Sequence, residues 1–225
     1  MTEVSLYGNP EPVPPASQLA VLPFLAAIDG YLREDTDVPD LRITVHRAMS
    51  REGQGYLQQV CAYLRRDGGD WQGKVGRTFA VDTGIMGAAY ESGKLWRTKR
   101  FKEISELTAA LKEDNVGSGA QSWLAVPFLG PQDQVVLILY ADCNQLNFFA
   151  DDARVKRIVA MSKGFCRLFD WLQKDPFEKL RNFPLQKGDP VKGVGGVYSV
   201  QEAVPNIEPP RFLLVPSFNY EAAAA

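Results

Sequence analysis

Apolar residues recur every three or four positions along some stretches of this chain and alternate with polar residues along others. From Leu19 onward, the three- and four-residue spacing predicts an amphipathic helix, which Ser17 can cap. Residues 41–49 alternate as a strand with one solvated face does, and residues 56–64 return after a glycine-containing turn. The N-terminal part therefore predicts a helix followed by a β-hairpin.

The C-terminal half of the pattern predicts a second hairpin between two helices. Residues 102–115 have helical spacing, and residues 122–128 and 134–142 are apolar strands separated by a proline-containing turn. A long helix with one broad apolar face begins at Asp151 or Asp152. This order of elements predicts an antiparallel sheet with helices on its faces.

Proline and glycine divide the 225-residue chain into three parts. Residues 1–16 are rich in proline, which disfavours helix and sheet and predicts an extended leader. Residues 17–175 carry the periodic patterns, and a hydrophobic content of 45% is enough for one sizeable core. Residues 176–225 are rich in proline and glycine and lack helical periodicity, so we expect a C-terminal tail.

The composition argues against several classes of partner. The formal net charge of −2 gives no general attraction to nucleic acid or to an anionic membrane surface. No apolar run approaches the length of about 18 residues that a membrane-spanning helix needs, and the N-terminus lacks a secretory signal. We therefore expect a cytoplasmic protein whose partners include neither membrane nor nucleic acid.

Residue types that carry catalysis or bind metals are sparse. The chain has one histidine, His46, which we expect to be a partly exposed structural residue on the first strand of the first hairpin. Cys61, Cys143 and Cys166 are far apart in apolar surroundings, which predicts buried thiols and no zinc site. We therefore expect no catalytic residues, no metal and no enzymatic activity. The residues identify no cofactor.

Residues 76–90 form a glycine-bounded segment in which Gly84 and Gly87 flank Ile85 and Met86. Closely spaced glycines let backbone N–H groups cradle a phosphate at a helix start, but the lysine and hydroxyl residue of a P-loop do not follow here. The same glycines also suit a tight turn and close helix packing. Both interpretations stay open at this point.

This segment resembles the signature of the GAF domain, a sensory fold that binds small molecules and usually catalyses nothing. Residues 123–128 and 135–140 resemble the last two strands of that family, and residues 148–152 resemble the start of its last helix. The resemblance covers residues 17–173. It implies an α+β fold with a GAF-like antiparallel β-sheet and helices on its faces. It also implies that the N- and C-terminal helices pack together and pair two subunits in a homodimer.

The resemblance further implies a ligand pocket between the sheet and the glycine-bounded segment. A basic stretch over residues 94–102 would lie along its rim, with Arg97 as the anchor for an anionic small molecule, although such charges also suit a solvated face. Apolar walls are typical of ligand sites and equally of a packed core that binds nothing. The predicted ligand-binding residues are Phe79, Val81, Gly84, Ile85, Met86, Gly87, Trp96, Arg97, Trp123 and Tyr140.

Together these features predict a cytoplasmic sensor that binds a small molecule and regulates a separate protein partner. Members of the fold that reduce free methionine sulfoxide place reactive cysteines around the signature segment, and this chain has none there. The alternative is a non-catalytic structural or adaptor subunit with a filled pocket. Such a subunit would assemble through its terminal helices and its C-terminal tail.

Overall fold

The structure, a computed structural model, describes residues 3–4, 16–34, 36, 38, 40–63, 75–82, 84–98 and 119–173. The helices and strands of these residues are, in chain order, β1 (Glu3–Val4), α1 (Ala16–Glu34), β2 (Arg42–Arg51), β3 (Gln54–Gln59), β4 (Thr78–Ala80), α2 (Gly84–Ser92), β5 (Trp96–Arg97), β6 (Ser122–Leu129), β7 (Val135–Cys143) and α3 (Asp152–Gln173).

The strands of the described residues form one seven-stranded sheet in the order β1-β4-β3-β2-β7-β6-β5, and every neighbouring pair is antiparallel. The turn between β2 and β3 lies at Glu52 and Gly53, which both have positive φ. A short 3-10 turn over Pro131–Asp133 joins β6 to β7. Both predicted hairpins are therefore confirmed, although β3 begins directly at the turn and ends earlier than predicted.

The first and last helices, α1 and α3, lie against each other on one face of the sheet. Phe24 of α1 stacks on Phe165 of α3, with ring centroids 4.3 Å apart and planes 13° apart. Nearer the other end of the pair, Arg157 lies over the ring of Tyr31, so the two helices run antiparallel. The ring of Phe128 from β6 packs edge-on against both phenylalanines. We call this side of the sheet the helix face, and the predicted packing of the terminal helices is confirmed.

The opposite side of the sheet, which we call the α2 face, carries a second and smaller buried cluster beneath α2. It contains Ile85 and Met86 from α2, Phe79 from β4, Leu57 from β3 and Ile138 from β7. The predicted α+β fold, an antiparallel sheet with helices on its faces, is therefore confirmed.

Strand β2 is buried on both faces over its first half, which corrects the prediction of one solvated face. Ile43 and Val45 point to the helix face and belong to its core, whereas Thr44 and His46 point to the α2 face and are fully buried. The expectation that His46 is partly exposed is therefore wrong. Polar residues that alternate with apolar ones indicate a solvated face only where nothing covers that face.

Further predictions concern the leader, the start of α1, the helix over 102–115 and the C-terminal tail. The leader contains a short strand that proline was expected to disfavour, because Glu3 pairs with Phe79 and Val4 with Thr78. Helix α1 begins at Ala16. The predicted helix over 102–115 and the predicted tail over 176–225 lie outside the described residues, and the domain boundaries stay predictions. No helix within the described ranges is both long enough and apolar enough to cross a membrane.

Candidate functional site

Most of the predicted ligand-binding side chains lie together on the α2 face. They come from four places in the chain, namely β4 with the turn after it, α2, β6 and β7. The buried members of this cluster include Phe79, Ile85, Met86 and Tyr140, and the half-buried Val81 and Trp123 pack against them. The structure therefore brings together residues that are up to 61 positions apart (140 − 79) in the sequence.

The two glycines of the segment serve the turn and the packing of α2. Gly84 begins α2 with φ at +69°, a left-handed conformation that side chains rarely adopt. A Cβ at Gly87 would lie 2.8 Å from the carbonyl oxygen of Val81, so α2 approaches that backbone more closely than any side chain permits. Of the two interpretations left open by the sequence, these contacts favour the tight turn with close helix packing.

Trp96 and Arg97 are neighbours on β5 and point to opposite faces of the sheet. Trp96 pairs with Ala125 on the α2 face, is 41% exposed, and donates its indole N–H to Ser92 Oγ at 2.9 Å. Arg97 pairs with Leu124, whose side chain belongs to the core of the helix face.

The guanidinium of Arg97 hydrogen-bonds to residues at the start of α3. Its Nη1 donates to the carbonyl oxygen of Phe149 at 3.2 Å, and its Nη2 pairs with the carboxylate of Asp152. The contacts join β5 to the start of α3 on the helix face. That Arg97 anchors an anionic ligand stays a prediction, and the guanidinium lies on the side of the sheet away from the α2 cluster.

A buried ion pair on the α2 face was missed by the sequence reasoning. Asp142 is 1% exposed and accepts two hydrogen bonds from Arg42, at 2.7 and 2.6 Å, and one from the hydroxyl of Tyr140 at 2.8 Å. Burial alone would lower the pKa of Arg42, but the hydrogen bond and charge of Asp142 outweigh it and raise that pKa above its ordinary value. Burial and then the charge of Asp142 raise the pKa of Tyr140 well above its ordinary value.

His46 and Gln59 form the centre of this polar region. They are direct partners in the register of β2 and β3, so both side chains leave the sheet on the same face. His46 is fully buried and Gln59 is 1% exposed. Within the described part of the chain, neither ring nitrogen of His46 has a hydrogen-bond partner, and the same holds for Gln59 Oε1.

The surroundings of His46 keep its imidazole neutral. Burial, and secondly the charge of Arg77, lower the pKa of His46 from 6.5 to about 3. The edges of Phe79 and Tyr140 approach the ring, with centroid distances of 5.6 and 6.1 Å. His46 is thus a neutral donor and acceptor in an aromatic environment.

The thiols of Cys61 and Cys143 are held protonated, and the Sγ of Cys61 lies 3.7 Å from the Thr44 hydroxyl of this region. Cys61 and Cys143 are buried, as predicted, and burial raises the pKa of both, that of Cys143 to about 12. Cys166 is exposed on α3, so the prediction of a buried thiol is wrong there, because its position on the helix points away from the sheet. In the described residues no three His, Cys, Asp or Glu side chains are grouped as metal ligands.

Comparison with known proteins finds similarity at the level of fold. No family profile and no curated protein matches the chain. A type II free methionine-R-sulfoxide reductase from Thermoplasma acidophilum is 17% identical, with 68% of this chain and 90% of that chain covered and a TM-score of 0.45. The GAF domain region of a protein from Geobacter sulfurreducens PCA is 14% identical, with 66% and 94% covered and a TM-score of 0.42. A GAF sensor protein from Burkholderia vietnamiensis is 12% identical, with 68% and 93% covered and a TM-score of 0.37.

The predicted resemblance is therefore confirmed as a GAF-like fold. The expectation that the chain has no enzymatic activity is wrong as a conclusion from this resemblance, because the similar structures include a reductase. The fold accommodates enzymes as well as sensory domains, so the character of the site has to be argued from this chain's own residues.

Proposed function

We propose that this chain is a sensory domain that binds a small molecule on the α2 face of its sheet and regulates a separate protein partner. The observation that carries the proposal is the pair His46 and Gln59, because both ring nitrogens of His46 and the Oε1 of Gln59 are buried without a hydrogen-bond partner among the described residues. Nearly all buried polar groups in folded proteins are hydrogen-bonded, and an exception calls for an explanation. A bound small molecule would supply the missing partners.

The neighbours of this pair suit a ligand site. Small-molecule sites combine mostly apolar and aromatic walls with a few polar groups that fix orientation. Here the walls come from Phe79, Trp123 and Tyr140, and the polar groups are the imidazole of His46 and the amide oxygen of Gln59. Trp123 is half-buried, which places an aromatic ring between the cluster and solvent.

The burial of His46 links binding to a change in conformation. Its ring is covered completely, so a ligand can reach the nitrogens only in an arrangement in which covering side chains have moved. A ligand that binds this arrangement more tightly shifts the population toward it. Helix α2 packs on the cluster through Ile85 and Met86, and Gly87 couples the helix to the backbone of Val81. Movement of α2 is therefore the structural change that we propose a partner detects.

Native mass spectrometry of the gently purified full chain tests the proposal. We expect the folded protein to exceed its denatured mass by that of a small molecule, and His46→Phe to lack this excess. Gly164→Ala is the matched control, because a Cβ at Gly164 meets nothing within 4 Å and this site lies on α3. An excess that His46→Phe retains, or no excess in the wild-type protein, would contradict the proposed site.

A second candidate function is an adaptor that assembles as a homodimer through its terminal helices. The observation that favours it is the exposure of Leu19 on α1 and of Leu168 and Trp171 on α3, at 55%, 47% and 36%. Because the helices run antiparallel, these side chains lie toward the same end of the pair. Exposed apolar patches of this kind are typical of interaction surfaces.

Light scattering during size-exclusion chromatography tests the adaptor hypothesis. We expect a dimeric mass for the full chain, reduced to the monomer mass by Leu168→Glu and unchanged by Lys163→Glu. Lys163 is also exposed on α3, so it controls for added negative charge on the same helix. A monomeric mass for the wild-type chain at every concentration would contradict this candidate.

A further inference from the structure

Most polar side chains of the α2 face hydrogen-bond to other described residues. We call the part of this face that carries them its polar half, and its residues are Arg42, Thr44, His46, Gln59, Tyr140 and Asp142. The Thr44 hydroxyl donates to the carbonyl oxygen of Cys61, and Gln59 Nε2 donates to the same oxygen at 2.8 Å. Asp142 accepts from Arg42 and Tyr140. Gln59 Oε1 and the two ring nitrogens of His46 are among the buried atoms that lack a hydrogen-bond partner among the described residues.

One pair of opposite charges on this face is compensated within the chain. Arg42 and Asp142 form a bidentate pair and neutralise each other, and His46 carries no charge at physiological pH. Arg77 lies over the ring of Phe79 at 4.9 Å, and its charge acts on His46 by favouring the neutral imidazole. Burying a charged group without a counter-charge is far more costly than burying a neutral hydrogen-bonding group.

The unpartnered atoms define what a ligand must present. A neutral imidazole has one N–H donor and one nitrogen acceptor, and the amide oxygen of Gln59 is an acceptor. Cβ atoms of directly opposed residues lie about 5 Å apart, so one small molecule can contact His46 and Gln59 together. A carboxylate or phosphate offers acceptors only and would place its charge beside the amide oxygen of Gln59. Carboxamides and nucleobases present a donor and an acceptor on one edge.

We propose that the ligand held by His46 and Gln59 is an uncharged molecule with a hydrogen-bond donor and acceptor on one edge, such as a carboxamide or a nucleobase. This inference rests on the proposed function and specifies the chemical class of its ligand. It differs from the sequence expectation of an anionic ligand held by Arg97, whose guanidinium lies on the other face.

The single histidine of the chain provides a direct readout. Full-length protein labelled with [15N]histidine gives ring nitrogen resonances from His46 alone, and these shift when a nitrogen gains a hydrogen bond. The probes are two matched pairs at millimolar concentration, nicotinamide with nicotinate and uracil with orotate. Each pair keeps its ring and differs by a carboxylate. We expect the uncharged member of at least one pair to shift both His46 nitrogens and the charged member to shift neither.

Substitution of Gln59 tests the second contact. We expect Gln59→Leu to weaken binding of the responsive probe by about tenfold or more, because the probe's donor loses its buried acceptor. Gln58→Leu is the matched control, since Gln58 precedes Gln59 on β3, points to the opposite face of the sheet and hydrogen-bonds to Arg47 and Gly76. Equal weakening by both variants would overturn the role assigned to Gln59. If Gln59→Leu does not fold, the probe series on wild-type protein still decides the inference.

The outcomes separate this inference from the proposed function. A shift of His46 by nicotinate or orotate, without a shift by the uncharged partner, overturns the inference and leaves a ligand site in place. If none of the four probes shifts a His46 ring resonance and native mass spectrometry finds a copurifying molecule, the inference alone is overturned. If no probe shifts a resonance and the native mass shows no ligand, both the inference and the proposed function are overturned.

Discussion

His46 and Gln59 stand directly opposite each other on β2 and β3, and each buries a polar atom that no described residue satisfies. A buried donor or acceptor without a partner costs about 1–3 kcal/mol of stability. The protein therefore gives up stability at one place on the α2 face, and we attribute this cost to ligand recognition.

Replacement of His46 by an apolar ring should separate stability from binding. We expect His46→Phe to raise the free energy of unfolding of the ligand-free protein by about 1 kcal/mol, because it removes two unsatisfied nitrogens. The same variant should no longer bind the small molecule, because stabilising substitutions at functional sites commonly reduce function. Urea unfolding at neutral pH measures the first effect. A clear decrease in stability would show that the nitrogens are satisfied in the native protein.

The free energy of unfolding should decrease as the pH is lowered, because His46 binds a proton more readily in the unfolded chain. Its native pKa of about 3 lies below the ordinary 6.5, so the unfolded chain binds more protons than the native chain between these values. The contribution of His46 to the free energy of unfolding is therefore fully present above about pH 6.5. It is lost as the pH falls toward about 3, by up to about 1.4 kcal/mol per pH unit.

The pH effect is measured as a difference between wild type and His46→Phe. From about pH 7 to about pH 5.5, the wild-type protein should lose about 1 kcal/mol more of its unfolding free energy than the variant does. The charged and titratable groups that face or adjoin the ring are present in both proteins, namely Arg42 on β2, Arg77 directly before β4, and Tyr140 and Asp142 on β7. Parallel pH profiles for the two proteins would mean that the native imidazole takes up protons as readily as the unfolded one.

The close approach of α2 to the preceding turn makes Gly87 sensitive to substitution. We expect Gly87→Ala to lower the free energy of unfolding by about 1–3 kcal/mol, since the new Cβ would lie 2.8 Å from the carbonyl oxygen of Val81. Gly164→Ala, in open space on α3, should instead stabilise the protein by about 0.5–1 kcal/mol. Thermal unfolding of both variants distinguishes them, and a tolerated Gly87→Ala would disprove the tight packing of α2.

Arg97 should stabilise the start of α3. We expect Arg97→Ala to lower the free energy of unfolding by about 1–2 kcal/mol, because the carbonyl oxygen of Phe149 loses its donor. Asp152→Ala should cost less than about 1 kcal/mol, since that carboxylate is 60% exposed. Because the guanidinium lies on the helix face, Arg97→Ala should retain the copurifying molecule in native mass spectrometry. Loss of the molecule with normal stability would instead support the anionic-ligand prediction.

The Arg42–Asp142 pair should be the most sensitive polar contact of the α2 face. Asp142→Asn removes the counter-charge of Arg42, whose side chain is 23% exposed, so the loss should be smaller than the about 3–5 kcal/mol that breaking a fully buried pair costs. Tyr140→Phe removes one hydrogen bond to Asp142 and should cost about 0.5–1.5 kcal/mol. Chemical denaturation of the two variants checks this order, and equal losses would show that Arg42 finds another partner.

The sequence predicts α1, α3 and both hairpins from the spacing of their apolar residues, although the first half of β2 is buried on both faces. It also predicts that Phe79, Met86 and Tyr140 belong to one cluster, through the family resemblance. Alternation adds one point that the resemblance does not give. Neighbouring residues of a strand point to opposite faces, so Trp96 and Arg97 are expected on opposite sides of the sheet.

The polar residues of the site could not be predicted from periodicity. Thr44 and His46 occupy the polar positions of an alternating strand, and the same pattern would arise on a solvated face. Arg42 and Asp142 are 100 residues apart and meet only through the register of β2 with β7. Hydrogen-bond partners of this kind depend on the assembled sheet, which a single sequence does not display.

The central claim is that a small molecule binds at His46. The most direct measurement releases the copurifying molecule from the full-length protein by denaturation and adds it back to ligand-free, [15N]histidine-labelled protein. We predict that the two His46 ring resonances shift in proportion to occupancy and that Gln59→Leu weakens the titration. Binding of the released molecule with no change at either His46 nitrogen would place the ligand elsewhere and contradict the account.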